Sequence, residues 1–342
     1  MKIGNFDLDE KVLIVAELSA NHAGRLDLAL ETVKKAKQAG ADAIKIQTYT
    51  PNSITLNSNK DDFIIKGGLW DKRTFYELYE SAKTPYEWHS LIFEAAQDEG
   101  LLCFSSPFCE EDLNFLTRFE PPAYKIASFE ANDENFVRLV ARQKKPLLIS
   151  TGIALKEELQ RICEICKEEE NEELIFLKCT SSYPSKIEDM NLKAIRLLQD
   201  EFKVVLGLSD HSFSNIPAII AISLGARVIE KHFCIDKSIK SEDSEFSLDF
   251  DEFSALCKDI RQTELALGKA IFNDSEKEIK NREFARSLYA NADIKKGELF
   301  TKDNVRSVRP AFGLHPKYLN SLLGKKAKRD IDFASPLTEE DL

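Results

Sequence analysis

Short apolar runs alternate with longer helical runs along most of this chain, and that alternation restricts its fold more than any other feature. Eight apolar runs have the length of a buried strand, at residues 12–17, 43–47, 101–106, 124–128, 146–150, 174–179, 204–209 and 228–232. Helical runs lie between or after them, at residues 26–38, 85–99, 110–119, 134–141, 156–169, 192–201, 213–224 and 251–267. Eight such units predict an α/β chain folded as a (β/α)8 TIM barrel. A doubly wound open sheet is the alternative, but the sequence has no glycine-rich phosphate fingerprint.

The alternation ends after Gly268, and the remaining residues have a different pattern. A charged run at residues 273–282 is predicted to be a linker, so the barrel domain is assigned to residues 1–272. Short strand-like runs separated by turns then predict a second domain at residues 283–342. A domain of about 60 residues buries little core by itself. We therefore expect it to pack on a barrel, either its own or that of a partner subunit.

Bulk composition excludes several classes of function. The chain has 342 residues and a formal net charge of −11, which argues against nucleic acid or an anionic membrane as the main partner. Its seven cysteines include one C-x-x-C pair, Cys163 and Cys166, but the pair lies in a charged helical run and predicts only two thiols on a helix. The N-terminus lacks a signal-peptide core, so a reducing cytoplasm is the expected location.

Two histidines follow strand-like runs that are neighbours in the sequence. His211 lies in the stretch GLSDHS after one run, and His232 ends the next in the stretch EKHF. Parallel strands joined by a helix bring their carboxyl ends together, so both imidazoles are expected at one rim beside Asp210 and Glu230. Neutral imidazoles in such a pair suit a divalent metal that keeps positions open for substrate. The alternative is that each is an ordinary buried rim histidine.

Polar side chains also mark the ends of the other strands, at Glu17, Lys45, Gln47, Ser106, Lys125, Ser128, Ser150 and Ser209. The lysines need a physical reason, because an unpaired ammonium is expensive to bury. One interpretation is structural, with the lysines paired with Glu17 or Glu130; in the other, the lysines face a bound anion. In the second case the hydroxyls complete a cradle for phosphate and carboxylate groups.

Two long connections lie on the same rim as these strand ends. One is the insertion at residues 50–83 after the second strand, and the other is the polar segment at residues 234–249 after the eighth. Long loops at this end of a barrel often close over a site. A solvated surface loop is the alternative for each of them.

Several of these stretches together resemble the sialic acid synthase family, the nonulosonic acid synthases. The stretches are AELSANH at residues 16–22, KIQTY at 45–49, YKIAS at 124–128, STG at 150–152, GLSDH at 207–211, EKHF at 230–233 and DIKKGE at 293–298, with Arg309-Pro310. Members of this family condense phosphoenolpyruvate with an amino-sugar aldehyde. The resemblance implies a barrel followed by an antifreeze-like (SAF) domain, in a domain-swapped homodimer.

The resemblance also implies roles for residues. It places Mn²⁺ or Mg²⁺ on His211 and His232. It assigns phosphoenolpyruvate to Lys45, Ser106, Lys125, Ser128, Ser150 and Ser209. It assigns the sugar to Glu17, Gln47, Tyr183 and Asp243, and to Phe284 and Arg309 of the partner's second domain. The groups expected to be catalytic are then Glu17, Asp210, His211, Glu230 and His232.

Departures from the family pattern bear on which sugar is used. Members that take N-acetylmannosamine usually have Asn at the position of Ser181, and Arg-Pro-Gly-Asn-Gly where this chain has RPAFG at residues 309–313. The run at residues 306–318 is more similar to the branch that takes 2,4-diacetamido-2,4,6-trideoxy-altrose. A 6-deoxy sugar needs a less polar pocket, which Phe312 would suit.

A legionaminic or N-acetylneuraminic acid synthase is the alternative within the family. A Schiff-base aldolase using Lys125 and a non-catalytic carbohydrate-binding protein are the alternatives outside it.

Overall fold

A short hairpin, β1 (Lys2–Ile3) and β2 (Phe6–Asp7), precedes eight parallel strands that close into a barrel. The barrel strands are β3 (Leu13–Glu17), β4 (Ala43–Thr48), β5 (Leu102–Pro107), β6 (Tyr124–Ile126), β7 (Leu147–Ser150), β8 (Leu174–Cys179), β9 (Val205–Asp210) and β10 (Val228–His232). Each strand pairs with the next, and β10 pairs with β3 from Val228 opposite Leu13 to His232 opposite Glu17. The predicted TIM barrel is confirmed. This structure is a computed structural model, and it describes residues 1–272 and 275–342.

Helices cover the outside of the barrel. They are α1 (Leu26–Ala39), α2 (Pro51–Ile54), α3 (Phe75–Ala82), α4 (His89–Asp98), α5 (Glu110–Leu116), α6 (Glu134–Ala141), α7 (Lys156–Glu168), α8 (Ala194–Phe202), α9 (Ile216–Ser223) and α10 (Phe250–Leu267). The short helices α2 and α3 lie within the insertion at residues 50–83. Among the described residues, no helix combines the length and hydropathy that crossing a bilayer requires.

Strand alternation divides the apolar side chains of the barrel between two cores. The larger core lies between the strands and the surrounding helices. The smaller one fills the barrel interior, and it contains Leu13, Val15, Ala43, Phe104, Leu148, Ile175, Leu177 and Val228, with Ile3 and Leu8 from the hairpin end of the chain. This interior layer occupies the amino-terminal part of the barrel. It therefore supports whatever side chains come next along the same strands.

Gly207 shows how tightly this interior is packed. A Cβ atom at this position would lie 2.6 Å from the carbonyl oxygen of Val228 and would also collide with the side chain of Leu177. Only glycine lets β9 approach its two neighbours this closely. Gly207, the first residue of the GLSDH stretch, is therefore required for packing, and the candidate catalytic residues of that stretch come after it.

The chain divides into two compact units, the first at Met1–Gly268 and the second at Lys269–Leu342. The second unit contains α11 (Glu276–Asn281), the antiparallel pair β11 (Ser287–Ala290) and β12 (Val305–Val308), and α12 (Leu319–Leu322). Its small core consists of Leu288, Ala290, Ile294, Phe300, Val305, Leu322, Ala327, Ile331 and Leu337. The domain bounds at 1–272 and 283–342, and the linker between them, stay predictions. Residues 273 and 274 of that linker lie outside the described residues.

Candidate active site

Side chains that point into the barrel are apolar in its amino-terminal part and polar toward the carboxyl ends of the strands. The inward positions nearest the carboxyl ends are Glu17, Lys45, Gln47, Ser106, Lys125, Ser150, Cys179, Ser209, Glu230 and His232. All of them are buried except Gln47, which is half-buried. Closure of the barrel therefore brings together residues that are more than 200 positions apart in sequence.

Glu230 joins the two lysines of this polar layer. Its Oε1 atom lies 3.6 Å from the Nζ atom of Lys45 and 3.6 Å from the Nζ atom of Lys125. Lys45 also lies 2.9 Å from Oε2 of Glu17. The structural interpretation of Lys45, a pair with Glu17, is thus observed, whereas Lys125 pairs with Glu230. Two buried ammonium groups and two buried carboxylates hold one another at the centre of the rim.

The same contacts decide the protonation of these groups. Burial alone lowers the pKa of Lys45, but Glu17 and Glu230 together raise it above its usual value. Burial lowers the pKa of Lys125, and the attraction of Glu230 offsets only part of that effect. Burial raises the pKa of Glu17 despite the opposing effect of Lys45. In Glu230 the effect of burial is overcome by Lys125 and Lys45, which lower its pKa. Glu17 is therefore the carboxyl group of this cluster best suited to accept and return a proton.

Two hydroxyl groups contact the charged cluster, and further hydroxyls lie at the neighbouring strand ends. Ser106 accepts a hydrogen bond from Lys45 at 3.4 Å, and Ser209 donates one to Glu230 at 3.3 Å. The hydroxyls of Ser128 and Ser181 lie 2.8 Å apart. Within the described residues, the buried Oγ of Ser150 has no hydrogen-bond partner. A buried polar atom without a partner is costly, so this hydroxyl is available to a ligand.

The imidazoles of His211 and His232 lie side by side, with their ring centres 5.4 Å apart. Nδ1 of His211 lies 3.1 Å from the carbonyl oxygen of Thr180, which favours the tautomer that leaves the Nε2 lone pair free. Burial, and then the positive charges nearby, lower the pKa of His232 well below its usual value, and its buried Nδ1 makes no hydrogen bond within the described residues. Burial lowers the pKa of His211, but its contacts with Cys179, and then with Thr180 and Asp210, together outweigh burial and raise it above its usual value. The two adjacent imidazoles therefore fit a divalent metal once His211 has given up its proton. No cluster of three or more ligand side chains occurs in the described part of the chain, so oxygens of substrate or water would complete the shell.

The side chains predicted to contact a sugar lie on two sides of the histidines. Gln47 donates to Oε1 of Glu17 at 3.0 Å, and Oδ2 of Asp243 accepts from the backbone of Ala20 at 3.2 Å. Oδ2 of Asp243 is also 3.8 Å from Nδ1 of His232. The Tyr183 ring lies 4.3 Å from the His211 ring. These four predicted residues thus converge on one rim.

Phe284, Phe312 and Arg309 belong to the second unit, where all three are exposed. No ion pair among the described residues involves Arg309. The guanidinium of Arg309 is therefore open to a ligand. Its assignment to a site, like that of Phe284, stays a prediction.

Asp210 lies on the opposite face of its strand from Ser209. Its carboxylate contacts the ammonium of Lys231 at 2.6 Å, and both side chains are buried. The other carboxylate oxygen accepts a hydrogen bond from the backbone of Ser212 at 2.8 Å, which fixes the turn that carries His211. Asp210 is therefore placed to position His211, and its direct action on a substrate stays a prediction.

Several side chains at this rim were not predicted from the sequence. Cys179 follows from strict alternation along β8, in which Ile175 and Leu177 face inward, so the signal for it was present. Trp70 and Phe246 come from loops without a periodic pattern, and no local signal points to them. Glu130 was considered only as a lysine partner; its buried Oε2 has no hydrogen-bond partner within the described residues.

Comparison with known proteins gives consistent results along the whole chain. Residues 32–272 match a model of the NeuB family, and residues 285–342 match a model of the SAF domain. A pseudaminic acid synthase of Campylobacter jejuni is 68% identical over 341 residues, covering 100% of this chain and 99% of that protein. One from Helicobacter pylori is 47% identical and covers 96% and 97%. A crystal structure of an N-acetylneuraminic acid synthetase from Leptospira borgpetersenii, in complex with citrate, superposes with a TM-score of 0.74 at 28% identity, over 82% of this chain and 94% of that one.

The buried pair of Asp210 and Lys231 gives a stability test. Asp210→Asn leaves the ammonium of Lys231 buried without its carboxylate, and we expect a loss of about 3–5 kcal/mol in the free energy of unfolding by urea. Combining Asp210→Asn with Lys231→Met removes that unpaired charge and should recover most of the loss. If Asp210 acts directly on a substrate, the double variant will be folded yet inactive; as a positioning residue, it will retain activity.

Glu130 predicts a pH-dependent contribution to stability. Burial, partly offset by Lys125, raises its pKa from 4.5 to about 7. A carboxyl whose pKa is raised on folding stabilises the protein below its unfolded pKa, and that contribution is lost as the pH rises through 7. Glu130→Gln should therefore gain stability relative to wild type between pH 4.5 and 8, by at most about 3 kcal/mol. Urea unfolding across this range, with Glu94→Gln at an exposed position of α4 as control, would detect the change; parallel pH curves for wild type and Glu130→Gln would contradict it.

Proposed function

The chain belongs to the NeuB family, and on that premise we propose that it acts as a pseudaminic acid synthase. It is an enzyme, a transferase that condenses phosphoenolpyruvate with 2,4-diacetamido-2,4,6-trideoxy-altrose and releases phosphate. The identity of 68% to a pseudaminic acid synthase over the full chain supports this branch of the family. Relatives named as legionaminic acid synthases are more distant, at 32% and 33% identity.

One observation carries the proposal: two buried lysines share a carboxylate next to two adjacent imidazoles. A small anion with a phosphate and a carboxylate group needs two cations and several hydroxyl donors. Lys45 and Lys125, with Ser106, Ser128, Ser150 and Ser209 around them, supply that set. The partnerless hydroxyl of Ser150 supports the same assignment. Phosphoenolpyruvate is thus held at the centre of the rim, beside His211 and His232.

The aldehyde end of the sugar meets phosphoenolpyruvate at the histidines. His211 and His232 would hold the divalent ion, Mn²⁺ or Mg²⁺, which when bound supplies Lewis-acid polarisation of a carbonyl oxygen. Carbon 3 of phosphoenolpyruvate attacks the aldehyde carbon, the π bond of the aldehyde breaks, and the new alkoxide takes up the proton that Glu17 relays from the water added in the second half of the reaction. Lys45 and Lys125 hold the enolpyruvyl group in place, and this positioning contributes much of the rate.

The second half of the reaction adds water to carbon 2. The electron deficiency left there is met by a water molecule, and Glu17 accepts the proton that this water loses. The bond between carbon 2 and the phosphate oxygen of the resulting tetrahedral intermediate then breaks, the new hydroxyl on carbon 2 becomes the ketone carbonyl, and phosphate leaves with the hydroxyl proton. Glu17 suits this role because burial raises the pKa of its carboxyl group and Gln47 orients it. Glu230 keeps both lysines in place throughout; whether it also acts directly stays a prediction, as does the direct action of Asp210.

The assembly follows from the same premise. We propose a domain-swapped homodimer in the cytoplasm, in which Phe284 and Arg309 from the partner's second domain complete the sugar site. The exposed guanidinium of Arg309, without an ion pair among the described residues, supports a role toward a ligand. The insertion at residues 50–83 and the segment at residues 234–249 serve as lids over the rim.

The deciding experiment is a substrate panel. Phosphoenolpyruvate is incubated with N-acetylmannosamine or with each of several 2,4-diacetamido-2,4,6-trideoxyhexoses, and phosphate release and product mass are measured. The altro sugar should give the highest kcat/KM and a product with the mass of a diacetamido-tetradeoxynonulosonic acid. Preference for N-acetylmannosamine would move the chain to the sialic acid branch, and no phosphate release with any sugar would overturn the proposal.

The metal site predicts complete dependence on the two histidines. His211→Ala and His232→Ala should each abolish phosphate release, because the sugar aldehyde then loses its Lewis acid. Exhaustive chelation should inactivate the wild type, and added Mn²⁺ should restore it. Full activity of the chelated wild-type enzyme would contradict the assignment.

Lys125 predicts a selective effect on one substrate. A charge-assisted hydrogen bond contributes about 1.5–3 kcal/mol, so Lys125→Ala should raise the KM for phosphoenolpyruvate roughly tenfold to a hundredfold and change that for the sugar much less. An unchanged KM for phosphoenolpyruvate would remove Lys125 from the cradle. Borohydride with pyruvate should trap no adduct, since the synthase forms no imine; a reduced adduct on Lys125 would favour the aldolase.

The domain swap predicts complementation between two inactive variants. Arg309→Ala and His211→Ala subunits should each be inactive as homodimers. A mixed dimer contains one site in which both Arg309 and His211 are intact, so mixing should restore part of the activity. Verified mixed dimers without recovered activity would mean that Arg309 serves its own barrel or has no role in the site.

A further inference from the structure

We propose that Trp70 determines specificity for the end of the sugar remote from the aldehyde, where its indole packs against the C6 methyl group of the 6-deoxy substrate. The inference rests on the proposed function and deepens it, because it names the feature that separates a 6-deoxy from a 6-hydroxy sugar. Trp70 was not among the residues that the sequence suggested for the site.

Trp70, Tyr183 and Phe246 form a continuous aromatic wall. The Trp70 ring lies 6.3 Å from that of Tyr183 and 6.2 Å from that of Phe246, and the last two rings are 5.1 Å apart. Tyr183 in turn lies 4.3 Å from His211, and Phe246 lies 5.0 Å from His232. The wall therefore begins beside the histidines and ends at Trp70, one ring further away. A sugar with its aldehyde at the histidines extends along this wall toward Trp70.

The position of Trp70 is fixed by a small hairpin. The backbones of Ile65 and Arg73 are hydrogen-bonded at 2.9 Å, and Trp70 lies in the turn between them, with its carbonyl accepting from Arg73 at 3.2 Å. The turn includes Gly67 and Gly68 with φ of 82° and 75°, a conformation that favours glycine. The hairpin thus presents Trp70 at a defined place instead of leaving it on a free loop.

Arg73 fastens this hairpin to the other long rim segment. Its guanidinium contacts Glu242 at 2.8 Å, and the hydroxyl of Ser81 donates to the same carboxylate at 2.6 Å. Glu242 directly precedes Asp243, and the same segment carries Phe246. The contact therefore links the element that carries Trp70 to the element that carries Phe246 and Asp243, one of the polar side chains predicted to contact the sugar.

The side chains around the histidines differ in polarity. Glu17, Gln47 and Asp243 carry hydrogen-bonding groups, whereas the half-buried rings of Trp70 and Tyr183 present aromatic carbon and the ring of Phe246 is buried. A methyl group gains from burial against such a surface, but a hydroxymethyl group loses its hydrogen bonds to water there. Apolar pockets reject an added hydroxyl by on the order of a hundredfold. Trp70 is thus suited to exclude sugars with an oxygen on carbon 6.

The kinetic test uses two sugars that differ at one atom. The kcat/KM for 2,4-diacetamido-2,4,6-trideoxy-altrose is divided by that for 2,4-diacetamido-2,4-dideoxy-altrose, in the wild type and in Trp70→Ala and Trp70→Phe. We expect the ratio to fall at least tenfold in Trp70→Ala and less in Trp70→Phe. The other tryptophan of the chain, Trp88, packs edge-on against His22 at 5.3 Å, so Trp88→Phe is the matched control and should keep the wild-type ratio.

The outcomes separate this inference from the proposed function. An unchanged ratio in an active Trp70→Ala enzyme overturns the role of Trp70 and leaves the synthase activity standing. If the wild type releases no phosphate with either sugar, the proposed function fails first.

Fluorescence provides a readout that does not depend on turnover. The chain has two tryptophans, so the Trp88→Phe variant reports Trp70 alone. Adding the trideoxy sugar without phosphoenolpyruvate should shift the Trp70 emission to shorter wavelength, because the indole loses water. Phosphoenolpyruvate alone is the control and should change the emission less, since its cradle lies at the lysines. Emission that stays constant at saturating sugar would overturn the contact.

Discussion

The carboxylate of Glu230, shared by two buried ammonium groups, is the interaction on which the rest of this site depends. A buried lysine without a partner either destabilises the folded protein or loses its proton, and two charged lysines close together repel each other. Glu230 lies 3.6 Å from both and keeps them in one place. Glu17 adds a second negative charge on Lys45 at 2.9 Å. The barrel therefore carries two buried ammonium groups, of Lys45 and Lys125, and two buried carboxylates, of Glu17 and Glu230. When an anionic substrate contacts the ammonium groups, each charged group of the cluster still has a partner of opposite charge.

The apolar interior layer makes this arrangement rigid. On these strands a polar inward side chain comes two residues after an apolar one, as Glu17 comes after Val15 and Glu230 after Val228. Their backbones are hydrogen-bonded on both sides, and Gly207 lets the strands at the histidines approach closely. Asp210 and Lys231 fix the turn after β9 from the outer face. Rigid strands thus set the chemistry, while the aromatic wall belongs to loops, in which substrate preference can change without disturbing the barrel.

Much of this was predictable from sequence, and the parts that were not have a common cause. The strands and the pairing of the histidines follow from local patterns, and the family resemblance rests on short stretches at strand ends. Asp210 was expected beside its neighbour His211, yet strand alternation turns its carboxylate toward Lys231. Lys125 was expected near Glu130 or an anion, and its partner is Glu230, 105 positions away in sequence. Trp70 belongs to a hairpin whose position depends on the contact between Arg73 and Glu242.

The sequence by itself determined the eight-fold alternation, the strands that carry the polar residues and the second domain, because these depend on periodicity and composition within short windows. Only the tertiary structure decided which charges pair, which face Asp210 occupies and which aromatic rings flank the histidines. Those features depend on distances between strands and loops that meet only when the barrel closes. A local pattern shows that a side chain points inward, but the neighbour that it meets there is set by the register of the other strands.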